Sequence, residues 1–572
     1  MAPRYICQSM TIVVITLLLC TFISGAQEQE GDIAIAGRLS SAFSPGLYSH
    51  LWEPYSSMEC LPRHIHLSLG NTESSVMISC SLPRTENCGP DSVTPIVILG
   101  RDSNHAFPST PEQIKITTQY GFTSTTNRAH YESRWIHHIE VLNLELGDHK
   151  YWYRIEVLAN NKTDSVNSGS SHIMPDFATG DSDGGWQASS RLLRRQKGMK
   201  NNLQANLQTD TGKKEEKAIV ASTSPRTFRT PPHVAKPVQI AIVGDLGQTT
   251  NSTKTMYHMM KTTRKRNQSK NDDIVTSLIL CAGDMSYANS NQELWANWFD
   301  VMEPLFSGIP LLVTAGNHEI ECNADNLDIF VPYEKWFRMP NRLGEAIMEP
   351  VDPNYKKSLW DQSCSTPSAF LGRYDYGNAF YAVTHGLVRI ITLSSYSQTL
   401  PGSRQEVWLN HELAQLNRTV TPWVIVMYHA PFYTTFRSHN DEIQSILMHK
   451  SMETLFLKYR VNIIVNGHDH AYMRTHPIVA NLQDPENPTV DVTGKAPIHI
   501  TVGAGGNREG HVKEYLNATM PEPWVAKRNK DEYGFGTLHV RNCTHAYWSW
   551  IRDGKTSKGF QDEVWFDNQY FL

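Results

Sequence analysis

The hydrophobic pattern of the second half of the chain is a series of short, unbroken apolar runs, each stopping abruptly at polar residues. The runs are Ala241-Ile-Val-Gly-Asp-Leu-Gly247, Ser277-Leu-Ile-Leu-Cys-Ala-Gly-Asp-Met-Ser-Tyr287, Pro310-Leu-Leu-Val-Thr-Ala-Gly-Asn-His-Glu319, Trp423-Val-Ile-Val-Met-Tyr-His429 and Val461-Asn-Ile-Ile-Val-Asn-Gly-His-Asp-His470. Helical periodicity separates them over 291–306, 404–416 and 443–460. Continuous apolar runs alternating with helices predict strands buried on both faces of an α/β sheet. Upstream the pattern changes to alternation. Ile65-His-Leu-Ser-Leu69, Ser75-Val-Met-Ile-Ser79, Gln113-Ile-Lys-Ile-Thr117, Trp135-Ile-His-His-Ile-Glu-Val141 and Tyr151-Trp-Tyr-Arg-Ile-Glu-Val157 predict a small all-β sandwich over 60–158.

The remaining stretches set the boundaries. Residues 159–232 are rich in Gly, Ser, Asn and Lys and carry no apolar face, so they read as a disordered insertion. The chain from 236 to 572 forms the larger domain, closed by strands around Tyr533–Val540 and Ala546–Trp550. At the N-terminus, Arg4, an apolar run from Thr11 to Ile23 and Ser24-Gly25-Ala26 predict a signal peptide over 1–26, too short to span a membrane.

Composition narrows the class. With 572 residues, one core would be oversized, so more than one domain is expected. A net charge of −5 with interspersed signs argues against a nucleic-acid surface. Asn161, Asn251, Asn267, Asn417, Asn517 and Asn542 each begin an Asn-x-Ser/Thr triplet, consistent with a secreted glycoprotein. Seven of nine cysteines remain once Cys7 and Cys20 leave with the leader. Cys281 reads as a core thiol, and Cys80–Cys88 and Cys322–Cys364 are the preferred disulfides, since each would staple a loop beside a strand.

The candidate chemistry sits where the runs stop. Asp245, Asp284, Tyr287, Asn317, His429, His468 and His470 are metal-ligand types at the expected carboxyl ends of strands, where α/β sheets collect ligands. Seven donors exceed one tetrahedral zinc and divide between two ions sharing a carboxylate. Phenolate and carboxylates suit a hard trivalent ion, and imidazoles with an amide suit a softer divalent one. His137-His138 is a poor second site, because adjacent strand residues point to opposite faces.

These blocks resemble the purple acid phosphatases, the Tyr-ligated branch of the binuclear metallophosphoesterases. Gly247 and Tyr287 carry that distinction, since the wider superfamily has His and Asp there. The resemblance implies a β-sandwich metallophosphoesterase domain flanked by helices, within an α/β class, behind a fibronectin-III-like domain. It implies that Asp245, Tyr287 and His470 hold Fe(III), that Asn317, His429 and His468 hold Zn, Mn or Fe(II), and that Asp284 bridges. His318 would contact phosphate and assist the leaving group, and His439, in Ser438-His439, would be an outer acid. Asn289 and Met473 depart from the family's usual Asp and Glu. The implied activity is hydrolysis of small phosphate monoesters by a metal-bound hydroxide, in a secreted or vacuolar setting, with a homodimer as a possible assembly. A phosphodiesterase or nucleotide pyrophosphatase on the same metals is the alternative, and a non-catalytic phosphate-binding protein a third.

Overall fold

Alternating apolar residues build two facing sheets at the N-terminal end of the chain. The computed structural model describes residues 59–572 except 102–108, 126, 161–216, 264–274, 327, 344–373, 482–486 and 554–559. The expected leader, most of the expected insertion and Asn161, Asn267 and Cys364 lie outside the described residues. One sheet runs in the order Arg63–Leu69, Val76–Leu82, Trp135–Val141, Gln113–Thr118. The other runs Arg226–Arg229, Lys150–Ala159, Val93–Gly100, with Ile219–Ser222 also paired to Lys150–Ala159. Ile65, Leu67, Val76, Ile78, Val97, Ile139, Ile155 and Phe228 fill the space between them.

Two expectations are corrected here. The stretch 159–232, expected to be structureless, contributes Ile219–Ser222 and Arg226–Arg229 as two strands antiparallel to Lys150–Ala159. Phe228, 1% exposed, anchors the second of them, but four residues are too few for alternation to be legible. The disulfide is Cys60–Cys88 rather than Cys80–Cys88. Cys80 points into the sandwich core among Ile65 and Ile78, where burial pushes its thiol up to about 12. Cys281 is buried and unpaired as expected, and Cys322 is disulfide-bonded. His137 and His138 part company as their strand requires: Nδ1 of His137 meets Thr117 Oγ1 at 2.9 Å, and Nδ1 of His138 meets Ser79 Oγ at 2.8 Å.

The larger domain is built from two sheets that bring parallel strands together. One runs Leu311–Val313, Thr276–Cys281, Val238–Val243, Gly534–Val540, His545–Arg552, Asp562–Asp567, and its first three strands are parallel. The other runs Tyr381–His385, Val388–Thr392, Trp423–Met427, Ile463–Asn466, Ile498–Val502, Tyr472–Val479, with four consecutive parallel strands from Val388–Thr392 to Ile498–Val502. Of the strands read as doubly buried, Thr276–Cys281, Leu311–Val313, Trp423–Met427 and Ile463–Asn466 are buried at every position. Helices Glu293–Phe306, Arg404–Ala414 and Ile443–Lys458 fall where helical periodicity placed them. The first of these also holds the sandwich: Asp300 pairs with Arg63, and Glu303 pairs with Arg226 and accepts the Ile65 amide at 3.1 Å.

Two buried histidines make the fold acid-sensitive. Burial pushes the His385 ring down to about 3. Burial likewise takes His499 to about 3, with Glu453 opposing and His449 reinforcing the shift. Both rings bind a proton more weakly folded than unfolded, where the value is 6.5. Their stability contribution is therefore complete above pH 6.5 and declines as the pH falls toward 3. The loss by about pH 5 is about 2 kcal/mol per ring. His499 packs against the Tyr433 and Phe432 rings, so His499→Phe should flatten the slope of Tm against pH. Melting wild type and variant between about pH 7 and pH 4 checks this, and parallel slopes would contradict it.

Candidate metal centre

All the candidate ligands emerge where parallel strands end, and the backbone there is bent sharply. Asp245, Asp284, Tyr287 and His468 adopt left-handed backbone conformations, with φ of 55°, 50°, 53° and 71°. Such conformations cost of order 1–3 kcal/mol each in a non-glycine residue and gather at functional sites. Neighbouring glycines make the crowding possible. At Gly283 (φ 92°) a Cβ would lie 2.4 Å from His429 Nδ1. At Gly247 (φ 63°) a side chain would collide with Asn507, whose Cα stands 2.8 Å from the would-be Cβ.

The side chains converge in overlapping groups, two of them sharing Asp284 and a third made by His439, Glu442 and His468. Asp284, His429 and His468 can present ligand atoms within 4.8 Å of one another, as can Asp245, Asp284 and His470. Asp284 belongs to both. Tyr287 Oη adds to the second group, 3.0 Å from His470 Nε2 and 3.4 Å from Asp245 Oδ1. Asn317 Oδ1 adds to the first, 3.1 Å from His429 Nε2. Asp245, Asp284, Tyr287, His429, His468 and His470 are buried and Asn317 is half-buried.

Each imidazole is anchored through one nitrogen, leaving the other for an ion. His429 Nδ1–H donates to the Ala282 carbonyl (2.6 Å), His470 Nδ1–H to the Gly510 carbonyl (3.0 Å) and His468 Nε2–H to the Glu442 carboxylate (2.7 Å). Outer partners of this kind fix ring orientation and raise ligand basicity. The atoms turned toward the other candidate ligands are Nε2 of His429 and His470 and Nδ1 of His468.

Electrostatics describe buried acids and imidazoles that shift one another's proton affinities. Burial, reinforced by Asp284, holds the Asp245 carboxyl well above its usual range despite His429. Burial and the nearby Asp245 raise the Tyr287 phenol. Burial would raise Asp284 too, but His429 and His318 outweigh it and hold it low. Burial works to lower His429, yet Asp284 at 3.1 Å takes it up to about 10. Burial lowers His468 and takes His470 down to about 4, so both rings are neutral donors. Cations would relieve the cost of the buried acids and displace the His429 proton, so the donor set fits metal ions.

The two further histidines also lie at the centre. Residues 317–319 form a short 3-10 turn, and its three residues per turn splay neighbouring side chains. His318 therefore leaves Asn317 and faces Asp284 Oδ2 at 4.0 Å and Glu509 Oε1 at 3.5 Å through Nε2. Its Nδ1 lies 2.6 Å from Asn289 Oδ1, and its ring lies 4.0 Å from that of Tyr287. His439 stacks on His468 at 3.9 Å and pairs with Asp469 at 3.1 Å. Met473 is fully buried among Tyr433, Phe436 and Ala471.

Sequence reasoning missed several residues that hold these loops. Glu319, itself raised to about 7 by burial, accepts the amides of Asp284 (2.9 Å), Met285 (3.0 Å) and Gly316 (2.8 Å). Glu442 and Glu509 were not singled out either; the available signals were an acid three residues beyond His439 and another in a glycine-rich turn. Tyr396, fully buried, approaches Asn317 Oδ1 at 3.5 Å.

Comparison with known proteins defines the class first. Residues 238–472 match the calcineurin-like phosphoesterase family, and 496–562 match the iron/zinc purple acid phosphatase-like protein C family. Probable purple acid phosphatase 20 of Arabidopsis thaliana is 34% identical over 346 residues, 60% of this chain and 68% of that one. The Fe(3+)-Zn(2+) purple acid phosphatase 12 of the same plant is 30% identical over 348 residues, 59% of this chain and 64% of that one. Purple acid phosphatase PPD1 from yellow lupin seeds shares the fold, with a TM-score of 0.61 at 16% identity, over 88% of this chain and 74% of that one. The chain belongs to the purple acid phosphatase family.

Proposed function

We propose that this chain hydrolyses small phosphate monoesters in acid, using Fe(III) and a divalent Zn, Mn or Fe(II) ion, after export through the secretory pathway. The observation carrying this reading is that Asp284 belongs to two adjacent ligand groups, the arrangement a bridging carboxylate requires. Asp245, Tyr287 and His470 would hold the trivalent ion, and Asn317, His429 and His468 the divalent one. When bound, the ions supply Lewis acidity toward phosphate oxygens and lower the pKa of water.

The chain's own residues do the rest. Glu442, Gly510 and the Ala282 carbonyl fix the three imidazoles before any substrate arrives. His318 donates from Nδ1 to Asn289, which aims Nε2 at the centre. Burial lowers this ring's affinity for a proton, but Asp284 and Glu509 outweigh it, so His318 stays protonated further up the pH scale. A proton held there can pass to the departing alkoxide. His439, also raised because Asp469 outweighs burial, adds a second imidazole stacked on His468. A second copy of the chain and the vacuole, as an alternative destination, remain compatible with this scheme.

Rates on matched aryl phosphate monoesters and diesters, with metal content measured in the same preparation, test the reading. Faster turnover of the monoester is expected. A marked preference for the diester would instead make the chain a phosphodiesterase on the same residues.

A further inference from the structure

At the strand ends opposite the metal centre lies a cavity of about 270 Å³. It is lined by the first residues of three parallel strands, Trp423–Met427, Ile463–Asn466 and Ile498–Val502. The first two of these strands lead to His429 and His468 at their other ends. The length of a strand therefore separates the cavity from the centre, about 16 Å for five residues. The volume falls just below the ~300–1,000 Å³ usual for small-molecule sites.

Exposed aromatic surface is concentrated at this cavity. Among the described residues, Trp565 (53%) and Tyr570 (45%) are the exposed Phe, Tyr or Trp side chains, and both line it. Both rings are also held in place. Trp565 stands opposite Tyr547 of the neighbouring strand, with ring centroids 5.1 Å apart. The Arg418 guanidinium lies 4.6 Å over Tyr570 while it bonds the Tyr459, Arg460 and Pro422 carbonyls. Fixed aromatic faces bind a flat partner with little further loss of freedom.

Charge supplies the other half of the recognition. Arg460 and Lys495 line the same cavity, and neither has an acidic partner among the described residues. The Arg460 guanidinium stands 5.7 Å from the Tyr570 centroid, so cation and ring are presented together. Arg474, also lining, is neutralised by Asp562 at 2.7 and 2.9 Å. Asp567, the carboxylate among the lining residues, faces His545 at 3.5 Å. Asp491 turns its oxygens to the amides of Thr493, Lys495 and Ala496. We propose that this cavity binds a small aromatic oxyanion, its flat ring against Trp565 and Tyr570 and its anionic group on Arg460 and Lys495. A contact between two copies of the chain fits less well, because a two-fold axis would set the patch against itself, unpaired cations included.

The test titrates the purified, metal-loaded chain with naphthyl sulfate by calorimetry, in enough inorganic phosphate to fill the metal centre. This probe joins a flat ring to an oxyanion and carries no phosphate ester to hydrolyse. One saturable site per chain is expected, with a Kd below about 100 μM. Trp565→Ala, and separately Arg460→Gln combined with Lys495→Gln, should each weaken it at least about tenfold. The two changes lie on different elements, and an unchanged Tm in each verifies the fold. No saturable binding, or an affinity unchanged in either variant, overturns the site. Equal binding of inorganic sulfate, or of uncharged methoxynaphthalene, overturns the ligand class. A dimer in sedimentation that Trp565→Ala dissociates would overturn the proposal in favour of a contact between copies of the chain.

Discussion

Asp284→Asn should cost ~10³-fold or more in kcat and leave less than two ions per chain, because several kcal/mol of charge stabilisation is lost with the shared carboxylate. The substitution keeps an oxygen able to accept the His318 amide, a bond of 2.9 Å in the native chain, so the loop retains its tie. What disappears is the negative charge that holds His429 up to about 10. His429 should then be neutral, and cations should be held by the remaining donors without a common anion between them. Metal analysis after exhaustive dialysis, with circular dichroism to verify the fold, measures the effect. Two retained ions and near-native kcat would mean that Asp284 does not bridge.

His318→Ala should lose ~10²–10⁴ in kcat on alkyl phosphates, the usual scale of general acid catalysis, while both ions stay bound. The geometry separates the two roles. Asn317 points its Oδ1 toward His429, whereas His318 aims Nε2 at Asp284 and Glu509. An aryl leaving group needs little protonation, so the deficit should shrink on aryl phosphates. Because the acids around His318 raise its pKa, the basic limb of the wild-type profile should reflect loss of its proton and should change in the variant. Equal deficits on alkyl and aryl substrates, or loss of metal, would assign His318 to structure or ligation instead.

What could be read from the residues alone was whatever short-range pattern encodes. Each ligand follows an apolar strand by two to six residues, so Asp245, Asp284, Tyr287, Asn317, His429, His468 and His470 were visible as strand endings. The left-handed turns that aim them are forced by the same Gly-rich blocks. Glu319 and Glu442 were not visible as partners, because their bonds to the Asp284 amide and to His468 cross 35 and 26 residues. Strands such as Ile498–Val502 and Tyr381–His385 went unremarked because neither ends in a candidate ligand. The Cys60–Cys88 bridge illustrates the same limit: stapling a loop beside a strand favoured Cys80, but Cys80 lies in the sandwich core.

Metal content together with the visible spectrum of the purified chain tests the central claim most directly. Tyr287 Oη lies in the Asp245, Asp284 and His470 group, so Fe(III) held there should give a phenolate-to-iron charge-transfer band. The expected result is two ions per chain, one of them iron, and a colour lost in Tyr287→Phe while the fold survives. A colourless chain, or a visible band unchanged by Tyr287→Phe, would contradict a Tyr-ligated iron at this centre.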